Sequence, residues 1–344
     1  MKFEAITIKD IAKALGLSTS TVSRALRDSY EISPATKKQV LEYAEQNHYR
    51  PNPIALSLKE KRSRSIGVIV CEIANSFFSQ AINGIESIAY DKGYNVIISQ
   101  SHESYEREVI DLNYLSSRSI DGLLISVSAE TEDFSHLQAL HERGFPIVFF
   151  DRVAESIHTH KVIVDNFKGA YDATDHLLKN GYRRIANLAG SPHLSITKER
   201  FNGYRQALEN NGIPFNESYI EYCLHGGMVY EEVENALNNF ISLEKMPDAI
   251  VASADKLTTN CLRYFKTKHI KVPDDVALMG FSNLDLTDLL SPSLSVVRQP
   301  AFEMGQIATE LLLQLIESKR PVYDFQYKVL PPELMIRESS MKIS

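Results

Sequence analysis

Cysteine is scarce in this sequence. The three present, Cys71, Cys223 and Cys261, are scattered and odd in number, and no two stand in a Cys-x-x-Cys pair. That excludes a disulfide framework and a thiolate zinc site as organising devices. Long apolar runs are missing too: no 18 apolar residues follow one another, so no segment reads as a membrane-spanning helix. The opening residues Met1-Lys2-Phe3-Glu4 are polar and lack the apolar stretch of a secretory signal. The expected compartment is the reducing cytoplasm, with no membrane partner. Catalytic signatures are also absent: there is no GxSxG elbow, Walker A loop, HExxH or GxGxxG. His158 and His160 lie close together, but no Cys or third His follows at a metal-like spacing, and they are read as loop histidines. The chain is expected not to be an enzyme and to need neither metal nor cofactor. One acid–base option stays open, since Asp151 and Asp255 can face a single cleft.

What is present is a charge asymmetry. The net charge is −7, yet residues 1–65 carry 12 Lys and Arg against 7 Asp and Glu, while the remainder carries 25 against 37. A basic head on an acidic body points to an anionic partner for the head alone. Apolar residues make up 44% of the 344 residues, enough to bury the cores of two or three domains.

Periodicity divides the chain at the same place. Residues 6–48 are helical in pattern, and a short basic connector, Lys59-Glu60-Lys61-Arg62-Ser63-Arg64, follows. Apolar runs then alternate with helical stretches. Ile66–Val70, Val96–Ile98, Gly122–Ile125 and Ile147–Phe150 are the first set, with helices predicted over Phe78–Lys92 and Arg107–Arg118. The theme restarts at Ile185–Ala189, Ala249–Ala252 and Val276–Met279, with helices near Gly169–Asn180, Glu199–Asn211 and Lys256–Lys268. Buried strands alternating with helices make parallel, doubly wound sheets. Two such halves leave a cleft at the carboxyl ends of their strands.

The head can be read residue by residue. Thr7 caps a first helix, with Asp10 completing a capping-box arrangement. Ile8, Ile11, Ala12 and Leu15 share one face, and Gly16 supplies a tight turn. Ser18 caps a second helix, predicted from Thr19 to about Asp28. At roughly 100° per residue, Thr19, Ser20, Ser23, Arg24 and Arg27 fall on one side, and Val22, Ala25 and Leu26 on the other. One face packs and the opposite face is free to enter a major groove. Ser33 and Pro34 start a third helix, with Val40, Leu41 and Ala44 expected inward. Further on, Asn52 can cap a very short helix with Pro53 at its first position. A helix that short needs a partner, either DNA or a symmetry mate.

The run TIKDIAKALGLSTSTVSRALRD (residues 7–28), followed by ISPATKKQVLEYAEQNHYRPNPIALSL, resembles the lactose-repressor (LacI/GalR) family of bacterial regulators. The likeness continues through Asn75-Ser76-Phe77-Phe78, Phe150-Asp151-Arg152, Glu199-Arg200-Phe201-Asn202-Gly203-Tyr204 and Val297-Arg298-Gln299-Pro300, so it spans nearly the whole chain. It implies an all-α helix-turn-helix DNA-binding head and an α/β periplasmic-binding-protein-like body of two doubly wound subdomains. Residues 1–49 would form the head, 50–64 the hinge helix and linker, and 65–344 the effector-binding and dimerisation core. Within that core the N-subdomain would take about 65–163 and 295–322, and the C-subdomain about 164–294 and 323–344.

By the same resemblance, Thr19, Ser20 and Arg24 would reach base edges, and Thr7, Thr21 and Ser23 would lie near phosphates. Asn52, Ala55 and Leu58 would bring the hinge onto DNA, Leu58 as an apolar wedge that bends the minor groove. Phe78 would stack on a small-molecule effector, and Asp151, Arg200 and Asp255 would hydrogen-bond it. The implied partners are double-stranded operator DNA, a second copy of the chain, and a sugar or sugar derivative. A purine or another metabolite is the alternative, and a solute receptor without DNA function is the competing class. On DNA the protein would be nucleoid-associated. The sequence departs from the family pattern at Leu56, Ala254 and Ser282, where a phosphate contact and two ligand contacts are in question.

Overall fold

The computed structural model describes residues 6–49, 62–118 and 120–342. The chain divides into two compact units, residues 1–63 and 64–344. The hinge positions Asn52, Ala55, Leu56 and Leu58 lie outside the described residues.

Among its described residues the first unit holds three helices: α1 (Ile8–Leu15), α2 (Thr19–Ala25) and α3 (Pro34–Gln46). Each begins where a side chain satisfies an orphan amide. Thr7 and Asp10 form a reciprocal capping box on α1, Ser18 accepts from the Thr21 amide on α2, and Ser33 accepts from the Thr36 amide with Pro34 in the first turn of α3. Gly16 ends α1 at φ 64°, a left-handed conformation that glycine takes at no steric cost. The core of this unit is Ile11, Ala12, Val22, Ala25, Val40 and Ala44.

Two expectations for the head need correction. The second helix stops at Ala25 and not near Asp28. Asp28 itself is left-handed at φ 54°, and Lys37 Nζ ties down both its carbonyl (3.2 Å) and its carboxylate (2.6 Å). Leu41 does not face inward: it is about half exposed, at 49%, because Val40 and Ala44 already fill that side of α3.

The second unit contains two six-stranded sheets. In the first, β1 (Ser65–Val70), β2 (Asn95–Gln100), β3 (Gly122–Ile125), β4 (Ile147–Phe150), β5 (Lys161–Val164) and β11 (Tyr327–Leu330) run parallel in the order β11-β5-β4-β3-β1-β2. In the second, β6 (Ile185–Ala189), β7 (Ile220–Tyr222), β8 (Ala249–Ala252), β9 (Ala277–Phe281), β10 (Ser295–Arg298) and β12 (Glu333–Met335) take the order β12-β10-β9-β8-β6-β7. Only the β10–β12 pair of this sheet is antiparallel.

Helices cover both faces of both sheets, so the inner strands are buried on two sides and read as continuous apolar runs, whereas the edge strands β2, β11, β7 and β12 are partly exposed. Along β3, Leu124 joins one core while Leu123 and Ile125 join the core behind it. The second sheet repeats the pattern, with Leu278 on one face and Met279 on the other.

The subdomain boundaries differ from those expected. Residues 295–298 pair with β9 in the second sheet, and residues 327–330 pair with β5 in the first. The helix between them, α11 (Ala301–Glu317), packs on the first sheet. The chain therefore crosses near residue 165, near Gln299-Pro300 and near residues 331–332. An apolar run records that a strand is buried, not which sheet receives it.

Candidate functional site

On the head, Val22 and Ala25 are 0% and 1% exposed and lock α2 against its neighbours. Thr19, Ser20, Arg24 and Arg27 are exposed, and Thr21 and Ser23 are half-buried. The polar face is internally ordered. Ser18 Oγ lies 2.7 Å from Ser20 Oγ and 2.8 Å from Thr21 Oγ1. Arg27 donates to the Ser23 carbonyl and hydroxyl at 3.0 and 2.8 Å. Arg24 pairs with Glu31 at 3.0 Å while remaining 54% exposed. An exposed pair of this kind is worth at most about 1 kcal/mol, so a guanine edge or a phosphate can displace Glu31 from the guanidinium.

In the second unit, the carboxyl ends of both sheets converge. Cys71, Ser101, Ser126 and Asp151 follow strands of the first sheet; Ser253, Ser282 and Gln299 follow strands of the second. Several contacts join the two sides. Lys256 pairs with Glu72 at 3.4 Å. Gln80 and Asn283 exchange hydrogen bonds at 3.1 and 2.8 Å. His193 meets Glu132 at 3.0 Å, and Ala129 packs with Leu194 and Ile196.

Asp151 is 5% exposed and sits at φ 60°, unusual for any residue with a side chain. The Ser126 hydroxyl donates to it at 3.4 Å, and Arg152 Nε stands 3.9 Å away. Burial pushes its carboxyl above the ordinary range despite the pull of Arg152 and Arg200. Arg200, 4% exposed, donates from Nε to Asn166 (2.8 Å), from Nη1 to the Ser253 carbonyl (2.6 Å) and from Nη2 to Gln299 Oε1 (3.4 Å). Its guanidinium lies 4.2 Å above the Phe281 ring. Burial lowers its pKa to about 10. Asp255 opens α10 (Asp255–Lys268) and accepts from the Ser282 hydroxyl and the Ser76 amide across the cleft. Burial raises its carboxyl as well.

The structure thus brings Asp151, Arg200 and Asp255 to one cleft. Phe78 is 3% exposed and belongs to the core of the first sheet, edge-on to Phe77 at 5.2 Å. Ser282, a departure from the family pattern, is now accounted for as the donor that orients Asp255. His158 and His160 pack edge-on against Phe325, and His160 Nδ1 accepts from the Gln326 amide, before β5 and away from the cleft.

Glu103 was not foreseen. Its carboxylate takes Arg152 through Nη1 (2.6 Å) and Nη2 (3.0 Å) and accepts from the Ala129 amide at 2.9 Å. Burial raises the Glu103 pKa, but Arg152 outweighs it and the net shift is downward. Cys71, also unforeseen, lies 3.2 Å from Arg152 Nη1, its thiol pushed up by burial. Asn187, on β6 with its Oδ1 held by the Ser253 hydroxyl at 2.8 Å, and Gln299, between β10 and α11, complete the polar floor. Gln299 carried a signal: a polar residue before proline at a strand-to-helix junction.

A basic-headed three-helix unit with a free recognition face, joined to a two-sheet body with a polar cleft, defines a class: DNA-binding regulators that carry their own ligand sensor. Comparison gives the family. Residues 7–52 match the family described as "Bacterial regulatory proteins, lacI family". Residues 63–325 match "Periplasmic binding proteins and sugar binding domain of LacI family". The HTH-type transcriptional repressor PurR of Vibrio parahaemolyticus is 32% identical over 341 residues, covering 98% of this chain and 99% of that one. Catabolite control protein A of Priestia megaterium is 29% identical, covering 97% and 99%. Among solved structures, the transcriptional regulator CelR in complex with cellobiose is 28% identical with a TM-score of 0.71, covering 97% and 99%. The lac repressor dimer bound to operator and the anti-inducer ONPF shares the fold at a TM-score of 0.80, with 24% identity over 98% and 100%. The chain belongs to the LacI family, and it is a ligand-responsive, DNA-binding transcription regulator. Among the described residues, no helix is long and apolar enough to cross a membrane.

Proposed function

We propose that this regulator is a homodimeric repressor of carbohydrate-utilisation genes, released or recruited by a sugar or sugar derivative in the cleft. The cleft floor carries the proposal. Asp151 is a buried and Asp255 a half-buried acceptor, and among the described residues the side-chain amides of Asn187 and Gln299 each keep a buried Nδ2 or Nε2 without a partner. Buried polar groups of this kind are costly unless a ligand satisfies them. A ring bearing hydroxyls supplies both donors and acceptors. The similarity to a regulator solved with cellobiose agrees with that chemistry.

Two copies would place two heads on a near-palindromic operator, each α2 in a major groove, with Thr19, Ser20 and Arg24 at base edges and Thr7, Thr21 and Ser23 at phosphates. The hinge residues Asn52, Ala55 and Leu58 would join them in the minor groove. Ligand binding biases the cleft angle, and that bias is transmitted to DNA affinity. The test is a thermal-shift screen of sugars and nucleobases on the full-length protein. A ligand at about 100 times its Kd stabilises the native state by about 2.7 kcal/mol. A sugar hit supports the reading, and a hit confined to nucleobases replaces the sugar with a purine-like ligand. A hit that leaves operator affinity unchanged refutes regulation through the cleft.

A further inference from the structure

We infer that the cleft is set for an uncharged ligand that donates hydrogen bonds, and that Glu103 sets it. The inference rests on the cleft being the sensor, and it names the ligand class of that same site.

The cations of the cleft floor are already engaged. Arg152 gives both Nη atoms to Glu103 at 2.6 and 3.0 Å. Lys256 pairs with Glu72 at 3.4 Å. Arg200 is held by Asn166, the Ser253 carbonyl and Gln299, with its face on Phe281. A phosphate or carboxylate entering the cleft would have to break one of these sets while lying beside Asp151 and Asp255. Breaking a buried charge pair leaves the abandoned partner uncompensated.

The anionic side is engaged less completely. Asp151 has the Ser126 hydroxyl at 3.4 Å and Arg152 Nε at 3.9 Å, and that Nε makes no hydrogen bond. A ligand hydroxyl or ring N–H can therefore be accepted there, and neutral oxygens can be met by Asn187 Nδ2 and Gln299 Nε2, which are also unpartnered among the described residues.

Glu103 makes this arrangement possible, and its backbone shows that it is fixed. His102 and Glu103 stand at φ 50° and 65°, consecutive left-handed residues that persist only where the surroundings over-determine them. The Ala129 amide and the Arg152 fork are those surroundings. Glu103→Gln retains an acceptor for Arg152 but removes the negative charge paired with its guanidinium.

The test uses the full-length protein at low ionic strength, with inorganic phosphate as probe. Wild type, Glu103→Gln, and Glu103→Gln combined with Arg152→Gln are titrated calorimetrically after each is shown to melt cooperatively. Expected are no saturable phosphate binding by wild type, a gain of about tenfold or more in Glu103→Gln from the loss of the carboxylate charge paired with Arg152, and loss of that gain in the double variant. Saturable phosphate binding by wild type, or a folded Glu103→Gln with no gain, overturns the inference. Should Glu103→Gln not fold, wild type alone decides by thermal shift on glucose, ribose and their phosphate esters. An ester that stabilises more than its parent, or a panel in which no parent sugar stabilises, overturns it. DNA binding by the same preparations is measured separately, so a failure of the regulator reading is distinguishable from a failure of the neutral-ligand inference.

Discussion

Asp151 and Arg24 show how far one side chain can be taken. Asp151 is buried, left-handed and weakly hydrogen-bonded, and burial raises its pKa. For a carboxylate raised on folding, the ionised form opposes the native state. That cost is absent below the pKa of the unfolded chain and complete above the folded value. Asp151→Asn is therefore expected to stabilise the protein at pH 7, by roughly 0.5–2 kcal/mol, since asparagine also tolerates positive φ. The advantage should vanish as pH falls through the folded pKa, and effector binding should be lost. Melting curves from pH 7 downward check this; a variant less stable than wild type at pH 7 would show that Asp151 supports the fold. Arg24 is a residue of the opposite kind, exposed and only loosely held by Glu31. Arg24→Ala is expected to weaken operator binding by about 1–3 kcal/mol and to relax one position of each half-site. Selection from a random duplex library reads this out, and an unchanged preferred site would remove Arg24 from the base-reading set.

At the scale of elements, helix crossings explain features that contact chemistry does not. The helix Ser76–Asp91 crosses α11 where Gly84 faces the Phe302 carbonyl and Gly305 faces the Ala81 carbonyl. A Cβ on either glycine would run into backbone, which cannot swing aside as a side-chain tip can. Gly305→Ala is expected to cost about 1–3 kcal/mol by overpacking, read as a lower urea midpoint with an unchanged slope. Combined with Gly84→Ala, the loss should fall short of the sum, because both substitutions push the same helices apart. No such crossing could be read from the sequence, where Gly84 and Gly305 sit inside helical patterns as simple weak points. The strands were more legible: Ile66–Val70 has no polar side chain, and Ile185–Ala189 has none but Asn187, because helices cover both their faces. The short strands at 220–222 and 333–335 are only partly buried and carry no such signal. The cleft divides the same way. Asp151, Arg200 and Asp255 stand in motifs that resemblance could point to, whereas Glu103 meets Arg152 across 49 residues, a pairing made by strand order alone.

For the whole molecule, the central question is what joins the two sheets across the cleft. The Gln80–Asn283 exchange and the Lys256–Glu72 pair join the two sheets directly, and they do so without touching Asp151 or Arg200. Asn283 is anchored on its own side: its Oδ1 accepts from the Gln299 amide at 3.0 Å and its Nδ2 donates to the Gln299 carbonyl at 2.7 Å. It therefore presents a fixed partner to Gln80. Contacts within the protein itself thus contribute to the free energy of closure, and apparent affinity scales with the fraction of molecules in the binding-competent form. A hydrogen-bonded pair contributes about 0.5–1.5 kcal/mol net, so Gln80→Ala should shrink the closed population several-fold. Amide exchange of the ligand-free protein is the direct measurement. Segments 72–80 and 282–285 should exchange faster in Gln80→Ala, and faster again with Lys256→Ala added, while β3 and β9 stay protected. Because linkage is reciprocal, the same variants should shift operator affinity toward the value of the open state. Unaltered exchange in both segments would mean that closure is carried by the Ala129–Leu194–Ile196 contact instead, and would move the control point from polar pairs to apolar packing.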